Sequence, residues 1–158
     1  MIKAAILTVS DSCAAGKRAD ESGRTIENVL AKNGFEVFEK RIVADDREAI
    51  ANELRLLSDK ATVDIVLTTS GTGLGPRDVT PEATSSVCGR MVPGLSEMIR
   101  AEGFKKTKNA IISRGLAGIR NKTLIINLPG SPKGAKESLE VILAVLPHAV
   151  DMMLGGGH

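Results

Sequence analysis

Aromatic residues are nearly absent from this 158-residue chain, which contains no Trp, no Tyr and only three Phe. Proteins that bind single strands of nucleic acid stack the bases on aromatic side chains, so the composition argues against that class. The charge argues the same way, because 21 Lys and Arg nearly balance 19 Asp and Glu and leave a formal net charge of +2. We therefore expect no nucleic acid among the partners.

Cysteines and long apolar runs are also scarce. The two cysteines, Cys13 and Cys88, have no neighbours of metal-ligand type, which argues against a zinc site and a disulfide framework. No apolar run approaches the ~20 residues of a membrane-spanning helix. The apolar residues 2–9 are too few for a secretory signal and predict a first strand. We expect a cytoplasmic protein without a membrane segment, folded as a single domain over residues 1–158.

Predicted strands and helices alternate along the chain. The predicted strands are residues 2–9, 35–43, 65–69, 110–113 and 123–128. Residues 10–22 are predicted to be a loop. Helices are predicted around residues 26–32 and 47–60, after an N-cap at Thr80, after Pro93-Gly94 and after a cap at Ser131-Pro132, with a last short helix that ends at Gly155-Gly156-Gly157. This alternation predicts an α/β three-layer sandwich, with a mostly parallel sheet and helices on both faces.

The segment 68–78 is the strongest functional pattern. Its glycines Gly71, Gly73 and Gly75 alternate between a predicted strand and the start of a predicted helix. Successive backbone N–H groups of such a loop point at an anion, and the dipole of the next helix adds partial positive charge. The spacing matches neither a Walker A loop nor G-x-G-x-x-G. We interpret the segment as a phosphate-binding loop, while a tight turn remains the alternative for any single glycine.

Asp78 ends this loop and suggests a bound cation. A bare carboxylate near a phosphate is repulsive by up to about 4 kcal/mol at 4 Å with an effective dielectric of 20. Mg²⁺ held by one or two carboxylates and substrate oxygens is the usual solution. Asp45, just after the second predicted strand, could supply the other carboxylate, whereas Asp46 is better placed to cap the next helix.

Three further loops follow predicted strands. Ser10-Asp11 offers short polar groups, Ser113-Arg114 a hydroxyl and a cation, and residues 127–132 a second helix start able to bind an anion. In open α/β sheets, ligands bind at the carboxyl ends of the strands, where all these loops lie. Two phosphate-ready helix ends and a pair of acids favour a phosphoryl or nucleotidyl transferase.

Several motifs resemble the molybdenum-cofactor biosynthesis family, in particular the molybdopterin adenylyltransferases of the MogA/MoaB type. The motifs are Ser10-Asp11, Leu67-Thr68-Thr69-Ser70-Gly71-Thr72-Gly73, Arg77-Asp78-Val79-Thr80-Pro81-Glu82-Ala83-Thr84, Pro93-Gly94-Leu95-Ser96-Glu97, Ser113-Arg114 and Asn127-Leu128-Pro129-Gly130. They are spread over nearly the whole chain.

The resemblance implies an enzyme that uses Mg-ATP to adenylylate the terminal phosphate of molybdopterin and releases pyrophosphate. It implies a homotrimer, with a hexamer as the alternative, and a downstream protein that inserts molybdate. Asp45 and Asp78 would be the catalytic, Mg²⁺-associated acids. The residues implied to bind substrate or nucleotide are Ser10, Asp11, Ser70, Gly71, Thr72, Gly73, Gly75, Thr80, Ser113, Asn127, Gly130 and Ser131.

Two other functions remain open at this point. One is a non-catalytic molybdopterin- or nucleotide-binding member of the same family, against which the two acids argue. The other is a flavodoxin-like electron carrier. Flavin carriers usually flank the ring with aromatic residues and place the phosphate loop after the first strand, whereas this glycine-rich loop follows the third predicted strand.

Overall fold

A computed structural model describes residues 1–156. Its strands are β1 (Lys3–Val9), β2 (Glu36–Val43), β3 (Ile65–Thr69), β4 (Arg90–Met91), β5 (Ala117–Arg120) and β6 (Thr123–Leu128). Its helices are α1 (Asp11–Ala14), α2 (Glu21–Lys32), α3 (Arg47–Asp59), α4 (Thr80–Val87), α5 (Pro93–Phe104), α6 (Pro132–Ile142) and α7 (Leu146–Met153), with 3₁₀ turns at Lys108–Ile112 and Leu143–Val145. Gly157, the last residue of the predicted C-terminal glycine run, lies outside the described residues.

One six-stranded sheet forms the middle layer, in the order β2-β1-β3-β6-β5-β4. The first four strands in this order are parallel, while β5 runs antiparallel to both β6 and β4. The chain moves from β1 outward to β2 and then returns to the other side of β1 to form β3. This reversal places a crevice at the carboxyl ends of β1 and β3, the usual ligand position in open α/β sheets.

Alternating residues of the central strands enter two apolar cores, one on each face of the sheet. In β1, Ala4 and Ile6 face the core shared with α2, α5, α6 and α7. Ala5, Leu7 and Val9 face the core shared with α3 and α4. The predicted three-layer sandwich is therefore confirmed. Among the described residues, no helix has both the length and the apolarity to cross a bilayer.

The predicted strand over residues 110–113 is wrong. Residues 108–112 form a 3₁₀ turn, and the antiparallel partner of β6 is β5, a few residues later. The backbone after the turn is held in part by a side chain, because Arg100 Nη1 donates to the carbonyl of Gly115 at 2.9 Å. The antiparallel hairpin of this region lies between β5 and β6.

Two predictions about the loops need correction. The predicted loop of residues 10–22 contains the short helix α1, whose N-cap Ser10 accepts a hydrogen bond from Cys13 N at 3.2 Å, and the start of α2. Thr80 does not cap α4, because Val79 is at the cap position and the Thr80 hydroxyl donates to the carbonyl of Ser70 at 3.0 Å. The predicted caps Asp46 and Ser131 are confirmed.

Two adjacent leucines of α3 provide a matched test of the packing. Leu57 is 1% exposed in the core, and Leu56 is 49% exposed. We expect Leu57→Ala to lower the free energy of unfolding by about 2–5 kcal/mol, since it leaves a cavity, and Leu56→Ala to change it by less than about 0.5 kcal/mol. Denaturant unfolding of both variants would measure the difference, and equal losses would contradict the assigned face of α3.

The end of α3 is tied to the β5–β6 turn by an ion pair with a pH-dependent contribution. Arg120 donates to both carboxylate oxygens of Asp59, at 2.9 and 3.0 Å, and these hydrogen bonds lower the pKa of Asp59. The contribution to stability is complete above the ordinary Asp pKa of about 3.9 and is lost as the pH falls through the lower pKa of the folded protein. We expect Asp59→Asn to flatten the fall in melting temperature across this acidic range. An unchanged pH dependence would contradict the pairing.

Candidate active site at the carboxyl edge of the sheet

The loops that carry the predicted site residues leave one edge of the sheet. β1 leads into Ser10-Asp11, β2 into Asp45, β3 into the loop Ser70–Asp78, and β6 into residues 129–131. Because these four strands are parallel, their carboxyl ends meet at the same edge. Ser113 reaches this edge from the 3₁₀ turn instead of a strand, and it lines a cavity there with Thr72 and Ser131.

The glycine-rich loop leaves β3 in a conformation that suits anion binding. Ser70 and Gly71 both have positive φ, at 81° and 73°. Such a φ is rare for a residue other than glycine, and it marks local strain at Ser70. In the described part of the chain, the N–H groups of residues 71–74 donate no hydrogen bond. Four consecutive free donors are the arrangement that cradles a phosphate.

At Gly71 the turn requires glycine for a second reason, since a Cβ would collide with the Thr80 hydroxyl. Thr80 is fully buried, so it fixes the loop from behind and does not face the crevice.

The loop after β6 packs directly against the glycine-rich loop. The Thr69 hydroxyl donates to the carbonyl of Pro129 at 2.7 Å, and a Cβ added at Gly130 would lie 2.8 Å from Ser70 Oγ. Ser131 then caps α6, accepting a hydrogen bond from Gly134 N at 3.0 Å. The positive end of the α6 dipole therefore lies beside the free N–H groups of the first loop.

Two of the predicted acids are held by each other's backbone. Asp11 N donates to Asp45 Oδ2 at 2.9 Å, and Asp45 N donates to Asp11 Oδ1 at 3.0 Å. Arg77 adds a two-pronged contact to Asp11, with Nε at 2.8 Å and Nη2 at 3.0 Å from its carboxylate oxygens. Hydrogen bonds from Arg77 lower the pKa of Asp11, so this carboxylate stays ionised.

Asp78 exerts a small electrostatic effect on Asp45. Partial burial raises the pKa of Asp45, and the charges of Asp11 and Asp78 raise it further, against the lowering effect of its backbone hydrogen bond. Asp78 accepts a hydrogen bond from Gly75 N at 2.9 Å, so its carboxylate closes the end of its own loop. Asp45 and Asp78 thus lie in loops at the same edge of the sheet, while Asp46 caps α3.

A divalent cation would offset the negative charge of these acids. The donors at this point are carboxylate oxygens, which suit a hard cation such as Mg²⁺. Among residues 1–156 there is no group of three or more His, Cys, Asp or Glu arranged to hold a metal ion. Any cation here would therefore need ligands from a substrate as well as from Asp45 and Asp78.

Two cavities lie on either side of the paired loops. The larger has a volume of about 330 Å³ and is lined by residues including Thr72, Gly73, Ser113 and Ser131. The smaller, of about 50 Å³, is lined by residues including Ser10, Ser70 and Gly130. The predicted binding residues outside both linings are Asp11, Gly71, Gly75, Thr80 and Asn127. The other predicted binding residues thus divide between two neighbouring volumes.

Asn127 is 3% exposed and supports the site from below. Its amide group donates to the hydroxyls of Thr68 at 3.0 Å and Thr84 at 2.9 Å, and its oxygen accepts from Leu116 N at 3.0 Å. These contacts tie β3, α4 and the segment before β5 together. In this structure its polar groups are engaged within the protein.

Two arginines at the site were not in the predicted set of binding residues, although the sequence pointed to the cation of Arg114 beside Ser113. Arg77 bridges the glycine-rich loop to Asp11, and Arg114 donates from Nε to the carbonyl of Gly73 at 2.9 Å. Both are adjacent in sequence to a predicted site residue, Asp78 and Ser113, which is the signal that could have found them.

Comparison with known proteins identifies the family of this chain. Residues 5–148 match the family described as "Probable molybdopterin binding domain" (MoCF_biosynth). The protein named molybdopterin adenylyltransferase from Helicobacter pylori strain J99 is 46% identical over 153 residues, which cover 95% of this chain and 86% of that protein. The protein of the same name from Haemophilus influenzae is 38% identical over 142 residues, covering 89% and 72%.

Solved structures give the same result for the fold. The crystal structure of the molybdopterin biosynthesis enzyme MoaB from Thermus thermophilus is 51% identical, covers 98% of each chain and superimposes with a TM-score of 0.92. The match in sequence and in structure therefore extends over almost the whole chain, and this protein belongs to the molybdenum-cofactor biosynthesis family defined by the probable molybdopterin binding domain.

Proposed function

We propose that this protein is a molybdopterin adenylyltransferase, a nucleotidyltransferase that moves AMP from Mg-ATP to the terminal phosphate of molybdopterin and releases pyrophosphate. The observation that carries the proposal is the paired arrangement of two anion-binding loops with Asp45 and Asp78 at one sheet edge. Relatives up to 46% identical that bear this enzyme's name support it.

Both substrates are phosphorylated, and the proposal assigns a place to each phosphate. The free N–H groups of residues 71–74 form the first, and the capped start of α6 at Ser131 forms the second. The larger cavity, of about 330 Å³, has the size to receive the organic part of one substrate, and the smaller, of about 50 Å³, lies against Ser70 and Gly130. The phosphate ends of both substrates would then meet at the paired loops, which brings the reacting atoms together.

The reaction forms a bond between an oxygen of the molybdopterin phosphate and the α-phosphorus of ATP. The bond from that phosphorus to the oxygen bridging to the β-phosphate breaks, and its electron pair leaves with pyrophosphate. The attacking phosphate is already ionised at neutral pH, so no general base is required. The protein's part is to align both phosphates and to offset their negative charge.

Asp45 and Asp78 are proposed to hold Mg²⁺ together with substrate oxygens. Mg²⁺ when bound would supply positive charge against the β- and γ-phosphates. Asp11, which Arg77 engages at both carboxylate oxygens, keeps Asp45 in place through the reciprocal backbone contacts. The homotrimer, the downstream molybdate-insertion partner and the cytoplasmic location stay predictions.

The two alternatives predict other outcomes in solution. A non-catalytic binder would take up molybdopterin without releasing pyrophosphate, and the presence of Asp45 and Asp78 at one sheet edge argues against it because bare acids repel phosphate. A flavodoxin-like carrier would absorb in the flavin bands. In this fold the glycine-rich loop follows β3, whereas flavin carriers usually place their phosphate loop after the first strand.

The first test is an anaerobic incubation of the protein with molybdopterin and Mg-ATP, followed by measurement of pyrophosphate release. We expect release that depends on molybdopterin, stops when EDTA removes Mg²⁺ and returns when Mg²⁺ is restored. Tight binding of molybdopterin without release would support the binding-module alternative instead.

Substitutions of the two acids test their role directly. We expect Asp45→Asn and Asp78→Asn each to lower kcat on the order of 100-fold, because each removes a negative charge that helps to hold Mg²⁺ at the phosphates. Asp59→Asn, at the far end of α3, is the matched control and should leave kcat unchanged. Wild-type turnover of Asp78→Asn at limiting Mg²⁺ would falsify the assigned role.

A further inference from the structure

Arg114 makes several hydrogen bonds at the site, and all of its partners lie in distant segments of the chain. Its Nε donates to the carbonyl of Gly73 at 2.9 Å, and its Nη2 donates to the carbonyl of Asp78 at 2.7 Å. Its backbone N–H donates to the carbonyl of Thr72 at 2.9 Å. One residue therefore contacts both the beginning and the end of the loop that carries Asp78.

The segment between these two ends has few other internal contacts. Gly75 N donates to Asp78 Oδ2 at 2.9 Å, and Asp78 N donates to the carbonyl of Gly75 at 3.0 Å, which closes a four-residue turn. Leu74, Pro76 and Arg77 are exposed. Thr80 ties the loop to Ser70 and Gly71, and Arg77 ties it to Asp11. Among the described residues, the Arg114 guanidinium is the side-chain group that joins Gly73 to Asp78.

Glu82, in the first turn of α4, holds that guanidinium in turn. Arg114 Nη1 lies 2.7 Å from Glu82 Oε2, and Nη2 lies 3.1 Å from Oε1. These hydrogen bonds lower the pKa of Glu82, so the partner is a carboxylate at neutral pH. Only the planar fork of arginine can make this pair and still reach two main-chain carbonyls, because lysine offers a single nitrogen.

The backbone that carries Arg114 is itself fixed. Arg100 Nη1 donates to the carbonyl of Gly115 at 2.9 Å, and Leu116 N donates to the buried Asn127 side chain at 3.0 Å. Both ends of the link are therefore anchored, at α4 through Glu82 and at α5 and β6 through the segment after Arg114. Because both the guanidinium and the backbone of Arg114 are held, this residue fixes the position of the glycine-rich loop relative to α4.

We infer that Arg114 is a positioning residue for the transfer reaction. Together with Glu82, it fixes the Gly73–Asp78 loop so that Asp78 and the loop N–H groups meet the same phosphate. The inference rests on the proposed function. It assigns no contact between Arg114 and substrate. Surface ion pairs of this exposure contribute little to global stability, so the effect of losing this one should appear in the order of the loop and in the rate.

Arg120 provides a matched control for Arg114. It also forms a two-pronged pair with a carboxylate, that of Asp59, and also donates to a main-chain carbonyl, that of Val87 at 3.0 Å. Arg120 lies on β5, away from Asp45 and Asp78. Arg114→Lys and Arg120→Lys therefore remove the same kind of contact set, one at the loop and one elsewhere.

The experiment compares both variants with the wild type in pyrophosphate release, amide hydrogen exchange over residues 71–79 without substrates, and melting temperature. We expect Arg114→Lys to lower kcat about 10- to 100-fold, which is the range that a small displacement of reacting groups produces. KM for ATP should change less than kcat does. Exchange over residues 71–79 should become faster in this variant, while Arg120→Lys should match the wild type in kcat and in loop exchange.

Glu82→Gln tests whether the pair acts as a unit. It should lower kcat in the same direction as Arg114→Lys, and the double variant should lose little more than Arg114→Lys alone, since coupled partners are not additive. Fully additive losses would contradict the coupling between Arg114 and Glu82 and would overturn that part of the inference.

The outcomes separate the inference from the proposed function. Wild-type kcat in Arg114→Lys overturns the inference, and so does a loss of kcat that follows the melting temperature with unchanged loop exchange. If the wild-type protein releases no pyrophosphate, the proposed function fails. In that case faster exchange over residues 71–79 in Arg114→Lys alone still supports the ordering role of Arg114, and unchanged exchange overturns it.

Discussion

The side-by-side pairing of β3 and β6 is the contact on which the site depends. Thr68 and Thr69 lie opposite Asn127 and Leu128 in a parallel register, so the loops after the two strands leave the sheet together. The Thr69 hydroxyl then joins the two loops through Pro129, and Ser70 packs against Gly130 too closely for any side chain at the latter. Without this pairing, the free N–H groups of the first loop and the start of α6 would be separate anion sites instead of one binding edge.

The same edge holds groups of opposite electrostatic character. Free N–H groups and helix dipoles attract phosphate, whereas the carboxylates of Asp45 and Asp78 repel it. Partial burial raises the pKa of Asp45. A site that combines free N–H groups with these two acids is suited to bind a phosphate that carries a bound cation. Arg77 offsets the third acid, Asp11, which leaves two carboxylates for that cation.

Much of the fold and of the candidate site was predictable from the sequence, because the patterns that indicate strands, helix caps and the glycine-rich loop are local. Apolar runs and helix starts indicated the parallel strands and the caps at Asp46 and Ser131, and the glycine spacing indicated the loop. Residues 110–113 misled because Ile111 and Ile112 have the composition of a strand, yet both are exposed in a 3₁₀ turn. In the structure Arg100 donates to the carbonyls of Ser113 and Gly115 that follow this turn, and no local sequence pattern reveals such a distant partner.

The sequence by itself determined the α/β architecture and which loops follow the parallel strands, since these follow from hydrophobic periodicity and helix caps. It also determined which residue types those loops offer to phosphate and to a cation, through the glycine spacing and the acids. Only the tertiary structure decided that Asp11 is occupied by Arg77, that Asn127 and Thr80 support the loops from inside, and that Arg114 links Gly73, Asp78 and Glu82. Most of these are contacts between segments far apart in the chain, and their geometry is set by which strands become neighbours in the sheet.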